Sequence, residues 1–357
     1  MAARETTASP TNALAAGDTV AETGLSATGT STAATDAAAD AATGNVLRPG
    51  ELPILAALSE NVREPVPKEV VALAEKVTQG CENDYEKSLA IYLWLTENIE
   101  YDWVEWQRLV AGDGHQRKHD PLSVLRRGTT VCAGYSWLFT AMAQSVGLDS
   151  SYITGYTRGY RGTMDEELVD AVMHAWNGVA IDNTWYLLDA TWGARQSGEL
   201  LEDYAARQAY YFMTPADQMV FDHLPEHDYW QLVADPVASE EFRELPNLKP
   251  AFFRNGLLLG NQFSSAIHAA RNEEARLTLF VPDNVRVTAR VTRDGEPVEN
   301  AAEVVAVFDE QLDVVLNLSE DGEYILRVYA GAYADRMLEC ALDYAVNVSD
   351  AAEIPAP

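Results

Sequence analysis

Two strand-like runs joined by Asp182-Asn183 constrain the fold of this chain more than any other feature of its sequence. Residues 172–181 and 184–190 are rich in apolar and aromatic side chains, as strands usually are. A two-residue connection of this composition is typical of a tight hairpin turn, which would pair Ile181 with Thr184. The sequence therefore predicts an antiparallel hairpin of fixed register.

That register decides which side chains of the hairpin can meet. It places Trp176 opposite Asp189, and it makes His174 the diagonal neighbour of Asp189 on the same face. Diagonal neighbours lie roughly 7–8 Å apart in their backbones, a gap that an imidazole and a carboxylate can span. The prediction requires an even number of turn residues, because an odd loop would move the two side chains to opposite faces.

Cys132 lies upstream, at what the sequence predicts to be the start of a helix. Thr129 or Thr130 is expected to cap this helix. Free N–H groups and a partial positive charge at a helix N-terminus favour the thiolate, which is the reactive form of cysteine. The alternative is a buried structural cysteine, a common fate of this residue.

A thiol, an imidazole and a carboxylate are together the components of an acyl-transfer enzyme with a sulfur nucleophile. Taken alone, His174 has an ordinary alternative as a satisfied core histidine, and Asp189 as a turn or cap residue. Their predicted shared face, with a helix-start cysteine upstream, favours the functional interpretation of all three.

Composition excludes several classes of partner. The chain has 357 residues with a net charge of −30, which argues against nucleic acid or an anionic membrane as a partner. No run of about 18 apolar residues predicts a membrane span. The N-terminus lacks a signal-peptide pattern, so we expect a cytoplasmic protein, or a secreted or cell-envelope one if a leader was removed. The three cysteines are too few for a disulfide framework.

The pattern changes along the chain and predicts five segments. Residues 1–48 are rich in Ala, Thr and Ser and are expected to be a disordered tail. Residues 49–235 show helical patterns followed by strands, which is typical of an α+β domain. A linker at 236–251 precedes a predicted β-sandwich at 252–350, where residues 285–292 alternate between apolar and polar. Residues 351–357 form a second tail.

Several motifs resemble one known superfamily. The segments around the three residues are similar to the transglutaminase-like superfamily, namely Val131–Tyr135, Met173–Asn177 and Trp185–Trp192, with Glu86–Tyr92 and Asn98–Asp102 upstream. Three further segments resemble the kyphoscoliosis-peptidase branch of that superfamily, namely Tyr211–Pro215, His223–Pro225 and Tyr229–Leu232.

The resemblance implies an α+β fold, a transglutaminase-like (papain-like) catalytic core followed by an all-β immunoglobulin-like sandwich domain. It implies that Cys132 is the nucleophile, His174 the general base and acid, and Asp189 the orienting carboxylate. Transglutaminases usually carry Trp after the nucleophile, whereas Ala133-Gly134 follows here, which argues against calcium-dependent crosslinking.

We therefore expect a cysteine-dependent acyl-transfer enzyme acting on protein or peptide amides, with a peptidase-like hydrolase as the first expectation. A glutamine transglutaminase or deamidase is the first alternative, and a non-catalytic protein-binding scaffold is the second. No cofactor or metal is expected, and the sequence leaves the oligomeric state open.

Other residues have weaker signals. The N–H of Cys132 is one expected oxyanion donor, and Trp103 and Gln116 are candidates for the second. Tyr135, Trp176 and Trp192 are candidates to line the cleft. His223 and His227 could form a zinc site, but Pro225 between them opposes a helical ligand pair and favours a polar loop.

Overall fold

The computed structural model describes residues 65–112, 117–158, 172–196, 201–308 and 310–350. The two predicted tails, residues 1–48 and 351–357, lie outside the described residues. Gln116, a candidate oxyanion donor, also lies outside them.

Helices dominate the described chain up to residue 145, as the sequence predicts. In chain order the elements are α1 (Lys68–Val77), α2 (Asp84–Asn98), β1 (Glu100–Tyr101), α3 (Trp103–Val110), α4 (Pro121–Arg127), β2 (Thr129–Thr130) and α5 (Cys132–Ser145). β1 and β2 pair in parallel and bring the start of α3 beside the start of α5.

Side-chain caps define where α2 and α4 begin. Asn83 caps α2 by accepting a hydrogen bond from the N–H of Glu86 at 2.9 Å. Asp120 caps α4, and Gly128 ends it at φ 72°.

A four-stranded antiparallel sheet follows the helices, in the order β5–β4–β3–β6. Its strands are β3 (Ser150–Thr157), β4 (Val172–Ile181), β5 (Thr184–Leu188) and β6 (His223–Pro225). The predicted register is confirmed, since Ile181 pairs with Thr184. Asp182 and Asn183 have φ angles of 49° and 61°, which the tight two-residue turn requires.

Helix α5 lies in the core between the other helices and this sheet. Leu138, Phe139 and Met142 of α5 are fully buried in an apolar cluster that also contains residues of α1, α2, β4 and β5. Asn177 of β4 donates hydrogen bonds to the carbonyl of Ser136 at 3.0 Å and to other acceptors on α5 and β3. These contacts fix β4 against the helix that begins at Cys132.

Short helices connect β5 to β6. They are α6 (Ala190–Gly193), α7 (Leu201–Tyr210) and α8 (Ala216–Met219), and a 3-10 helix at Asp228–Gln231 follows β6. A second apolar cluster contains Trp176 and Trp185 from the sheet, with Met219 and Trp230 from these connections.

The segment predicted as a linker, residues 236–251, contains regular structure. It holds α9 (Ser239–Glu244) and β7 (Asn247–Leu248), and α10 (Pro250–Arg254) begins at its end. Phe242 of α9 is buried under the guanidinium of Arg158, 4.8 Å from the ring centre. Phe242, Leu248 and Ala251 are buried, so this segment is packed into the fold instead of forming the expected linker.

The rest of the chain forms two β-sheets with a shared apolar core. Its strands are β8 (Leu258–Leu259), β9 (Ala266–Ala270), β10 (Glu274–Phe280), β11 (Val285–Arg293), β12 (Glu296–Pro297), β13 (Ala302–Phe308), β14 (Gln311–Asn317), β15 (Gly322–Ala332) and β16 (Glu339–Ser349). One sheet has the order β13–β14–β10–β8, and the other has the order β12–β11–β15–β16–β7 with β9 beside β16. The alternating run at 285–292 forms β11, as predicted.

One apolar cluster joins the two sheets and includes Leu277, Val314, Leu326 and Tyr344, all fully buried. A sandwich of this kind is what the sequence predicts for residues 252–350. No helix among the described residues is both long and apolar enough to cross a membrane.

Candidate active site

The thiol of Cys132 lies at the start of α5 and is half-buried. The first hydrogen bonds of the helix are made by the N–H groups of Gly134 and Tyr135 to the carbonyl of Val131, at 3.0 and 3.3 Å. The backbone N–H of Cys132 therefore precedes the intrahelical ladder and belongs to the end that carries partial positive charge.

The helix start is not capped by a threonine, so this prediction is wrong. Val131 is the N-cap residue and makes no side-chain cap. The Thr130 hydroxyl instead contacts Nδ1 of His119 at 3.1 Å. Thr130 is fully buried and packs against Gly134 in the first turn of α5.

Gly134 is required by this packing. A Cβ at this position would lie 2.0 Å from the hydroxyl oxygen of Thr130 and 2.9 Å from its Cβ and Cγ2. Since Thr130 is buried, it has little room to move away.

Gly134→Ala should therefore destabilise the protein by about 1–3 kcal/mol, the usual cost of overpacking a core. Denaturant unfolding measures the change. Thr130→Ala in the same chain removes the hydroxyl and the methyl group, so the double variant should recover part of the loss. An unfolding midpoint equal to that of the unsubstituted protein would contradict the packing described.

His174 and Asp189 are in direct contact, as the hairpin register predicts. Nε2 of His174 lies 2.7 Å from Oδ2 of Asp189. Cys132 raises the pKa of His174 through its charge and a side-chain hydrogen bond, and since Asp189 engages Nε2, Nδ1 is the remaining ring nitrogen. The structure thus brings the three predicted residues into one chain of contacts.

Asp189 is fully buried and its two oxygens are engaged separately. Oδ1 accepts hydrogen bonds from the N–H groups of Thr191 and Trp192, at 2.7 and 3.0 Å, and so caps the short helix α6. Oδ2 faces Nε2 of His174 and Nε2 of His223, the latter at 3.1 Å. The carboxylate therefore caps a helix with one oxygen and contacts two imidazoles with the other.

The environment favours a charged His174. Burial alone would lower the pKa of this imidazole, but the negative charges of Asp189 and Cys132 and the hydrogen bonds to both outweigh it. The pKa of His174 is raised to about 10. For Asp189, burial raises the pKa, but the charges and hydrogen bonds of His174 and His223 lower it well below its usual range.

The raised pKa of His174 predicts a pH dependence of stability. The folded protein holds the His174 proton more tightly than the unfolded chain, whose histidine has a pKa of about 6.5. This stabilisation is complete below pH about 6.5 and is lost as pH rises through about 10. The free energy of unfolding should therefore fall between these pH values.

Denaturant unfolding of the unsubstituted protein and of His174→Gln across that range measures the effect, since other groups titrate in both proteins. The free energy of unfolding of the unsubstituted protein minus that of His174→Gln should decline above pH about 6.5. Parallel curves would show that the folded state does not hold the His174 proton.

His223 was missed as a site residue. The sequence suggested a polar loop or a zinc site with His227, whereas His223 begins the buried strand β6 and His227 is exposed. Nδ1 of His223 lies 2.5 Å from Oδ1 of Asp222, whose Oδ2 accepts a hydrogen bond from the Tyr211 hydroxyl at 3.1 Å. An Asp-His pair in a segment that resembles the family was the available signal.

The predicted cleft residues fall into different places. Trp176 and Trp192 are buried and pack against the ring of His174, with centroid distances of 6.1 and 5.4 Å. Tyr135 is fully buried and its hydroxyl donates to the carbonyl of Ile99 at 2.6 Å. The prediction that Tyr135 lines the cleft is therefore wrong, because its position on α5 faces the core.

Trp103 is half exposed at the start of α3 and packs against Tyr101 at 4.7 Å between ring centres. Burial raises the pKa of Tyr101, and the charge of Cys132 adds to this rise, so Tyr101 lies within electrostatic reach of the thiol. Burial and then Cys132 also raise the pKa of Tyr152 on β3, to about 12. Neither tyrosine was predicted from sequence.

Three side chains near the site also have the composition of a metal site. Ligand atoms of His174, Asp189 and His223 all lie within 4.8 Å of one another. A metal ion bound between these atoms would replace the protons of the hydrogen bonds between Oδ2 of Asp189 and the two imidazoles.

Two family models match the chain. Residues 71–190, which include Cys132, His174 and Asp189, match the transglutaminase-like superfamily. Residues 239–357 match the KY-like, immunoglobulin-like domain. The second match begins within the segment that the sequence predicted as a linker.

Curated relatives have similar sequences over part of their length. The kyphoscoliosis peptidase of Mus musculus is 28% identical over 208 residues, which are 58% of this chain and 31% of that protein. The Lim and transglutaminase domain protein of Caenorhabditis elegans is 24% identical over 225 residues, covering 59% of this chain and 30% of that protein. The chain thus spans about a third of the length of these relatives.

Similarity to solved structures is slight. A proposed cysteine protease from Cytophaga hutchinsonii is 24% identical and covers 35% of this chain and 37% of that chain, with a TM-score of 0.27. The sequence matches are more informative. The chain carries a region that matches the transglutaminase-like superfamily, followed by one that matches the KY-like, immunoglobulin-like domain, and it is similar to the kyphoscoliosis peptidases that its motifs resembled.

Proposed function

We propose that this protein is a cysteine-dependent acyl-transfer enzyme that acts on protein or peptide amides, with hydrolysis as its main reaction. The observation that carries the proposal is the chain of contacts from Cys132 through His174 to Asp189. It begins at a half-exposed cysteine, which a substrate can reach, and ends at a buried carboxylate that the protein holds in place.

The charge state of the site supports the first step. A protonated His174 beside Cys132 stabilises a thiolate, which is the nucleophilic form of the side chain. The sulfur forms a bond to the amide carbon, and the carbonyl oxygen becomes an oxyanion. We assign the N–H of Cys132 as one donor to this oxyanion, because it lies at the start of α5.

The second step releases the amine. The carbon–nitrogen bond breaks, and the proton on His174 passes to the leaving nitrogen. An acyl group stays on Cys132 as a thioester. A water molecule then attacks the thioester, gives its proton to His174 and releases the carboxylic acid, which restores the thiolate and the imidazolium.

Asp189 keeps His174 in the orientation that these proton transfers need. It accepts from Nε2 and so leaves Nδ1 as the ring nitrogen available to Cys132. Its own position is fixed by the two backbone N–H groups at the start of α6. The names of the mouse and human relatives, which are called peptidases, support hydrolysis as the main outcome.

The experiment supplies a set of peptides containing both glutamine side chains and ordinary peptide bonds, with and without a labelled primary amine. Mass spectrometry then separates three products. Cleaved peptides indicate a peptidase, glutamate in place of glutamine indicates a deamidase, and incorporated amine indicates a transglutaminase. The control is the same protein alkylated with iodoacetamide.

We expect cleavage that is lost in the alkylated protein. Amine incorporation would keep the chemistry of Cys132 and replace water with an amine as the acceptor. If none of the three products depends on a free thiol, acyl transfer on these amides is refuted and the scaffold alternative is favoured.

A further inference from the structure

Buried polar side chains extend the site on the side of Asp189 away from Cys132. From Asp189 the contacts continue to His223, then to Asp222 and to the hydroxyl of Tyr211. Asp189 follows β5, Tyr211 follows α7, and Asp222 and His223 lie at the start of β6. Three separate segments of the chain therefore meet at Asp189, the contact partner of His174.

Both ring nitrogens of His223 contact carboxylate oxygens, at 3.1 Å for Nε2 and Asp189 and at 2.5 Å for Nδ1 and Asp222. An ionised carboxylate only accepts hydrogen bonds, and a neutral imidazole has only one N–H. Both contacts are satisfied together when His223 is an imidazolium. Burial opposes that charge, but the charge of Asp222 and the hydrogen bonds to Asp222 and Asp189 raise the pKa of His223.

The oxygen that orients His174 is the same oxygen that His223 contacts. Oδ2 of Asp189 lies 2.7 Å from His174 and 3.1 Å from His223, and the two rings are 5.6 Å apart between centroids. His223 is 2% exposed and packs against the rings of Trp176 and Trp192 at 4.9 and 4.5 Å. It cannot turn away from Asp189 without disturbing both tryptophans.

We propose that His223 is a positioning residue of the active site, which holds Asp189 against His174 and balances the charge of that carboxylate. Asp222 in turn holds His223. This inference rests on the proposed role of Cys132 as nucleophile, and it adds a second imidazole that acts through Asp189 without touching substrate.

A metal ion at the same three side chains is the competing arrangement. Zinc lies about 2.0–2.1 Å from each ligand nitrogen, with no hydrogen between them. The separation of 2.7 Å between His174 and Asp189 is that of a direct hydrogen bond between a charged donor and acceptor. The geometry favours the hydrogen-bonded chain, and metal dependence is included in the test.

The charged groups around His223 set the expected direction of a pH effect. Asp189 and Asp222 contact it directly, His174 shares Asp189 with it, and Tyr211 and Arg158 act on Asp222. Loss of the His223 charge leaves two carboxylates without their shared cation. The thiolate–imidazolium pair of Cys132 and His174 then loses a nearby positive charge, or a neighbouring carboxylate takes up a proton.

Either response makes a thiolate harder to form at low pH. The alkylation step, meaning the pH at which iodoacetamide begins to react with Cys132, should therefore move to higher pH. This readout needs no substrate. It is measured by mass spectrometry of the full chain in a background of Cys81→Ala and Cys340→Ala, so that only one thiol reacts.

The variants are His223→Ala, His223→Gln and Asp222→Asn, with His227→Gln as the matched control on an exposed histidine four residues away. Asp222→Asn lets a neutral His223 still donate to Asp189. We expect the step to move up by about one pH unit in His223→Ala, the scale of a single lost charge interaction. Asp222→Asn should move it less, and His227→Gln should leave it unchanged.

Turnover of the amide substrate is measured for the same variants as the alkylation step. For His223→Ala we expect kcat/KM to fall by about 10–100-fold, the range found when partners that orient metal-bound histidines are removed. His223→Gln keeps a donor of similar length and should lose less. Each value is taken at a temperature where circular dichroism shows the variant folded, so that a lost fold is not counted as lost positioning.

An unchanged alkylation step in folded His223→Ala overturns the proposal, as does activity that EDTA abolishes and zinc restores. Absence of amide turnover in the unsubstituted protein, with a step that still moves in His223→Ala, would refute the proposed function and leave the positioning role intact. Turnover that is normal in every variant would refute the positioning role alone.

Discussion

Cys132→Ala should remove turnover of the amide substrate, with kcat falling by about a million-fold, the scale seen when the nucleophile of a serine protease is removed. Alanine leaves no atom to form the thioester, and the half-buried position at the start of α5 gives water no equivalent activated group. The substitution deletes one sulfur from a partly exposed site, so the fold should be retained. Rates are measured by product formation, and folding by circular dichroism.

The other two cysteines provide matched controls for this variant. Burial, and then the charge of Asp343, raise the pKa of Cys340 to about 11, which keeps that thiol protonated and unreactive. Cys81 follows α1, outside the contacts that join Cys132 to His174 and Asp189. Cys81→Ala and Cys340→Ala should therefore keep full activity. Equal turnover in Cys132→Ala and in these controls would contradict every role assigned to the Cys132 thiol.

Local rules were enough to predict the part of the site that lies on the hairpin. The Asp182-Asn183 turn fixes the pairing of β4 and β5, and the alternation of side chains then places His174 beside Asp189. Both steps depend on neighbours in sequence, which is why a single sequence carries them. The start of a helix at Cys132 was predictable for the same reason.

His223, the site residue that the sequence did not predict, reaches the site through long-range packing. His223 is 34 residues from Asp189, and helices α6, α7 and α8 lie between them in the chain. No periodicity connects a short strand to a residue across such a connection. The pairing of β6 with β3 brings His223 to Asp189, and that pairing is visible only in the fold.

Two errors came from local signals that tertiary contacts overrode. Thr130 has the usual chemistry of a helix cap, but its hydroxyl contacts His119 instead. Tyr135 is three residues from the nucleophile and was assigned to the cleft. Its spacing to Leu138 and Phe139 places it on the apolar face of α5, which indicates the core. Helical spacing was the better guide there.

Asp189→Asn should lower kcat/KM by about 10⁴-fold, the loss found for the corresponding change in a serine protease triad. The amide has one oxygen, while Asp189 uses one oxygen for two backbone N–H groups and the other for two imidazoles. If the amide oxygen keeps the backbone contacts, its NH₂ group faces His174 and His223. His174 then loses the acceptor and the charge that help to keep it protonated beside Cys132.

Stability should fall as well, because removing one partner of a buried charged pair typically costs about 3–5 kcal/mol. Asp182→Asn is the matched control, since Asp182 is exposed in the turn and asparagine is well suited to its positive φ of 49°. Denaturant unfolding and kcat/KM are measured for both variants. A kcat/KM within tenfold of the unsubstituted protein in Asp189→Asn would mean that His174 keeps its orientation without the carboxylate, and the contact of 2.7 Å would then be structural rather than catalytic.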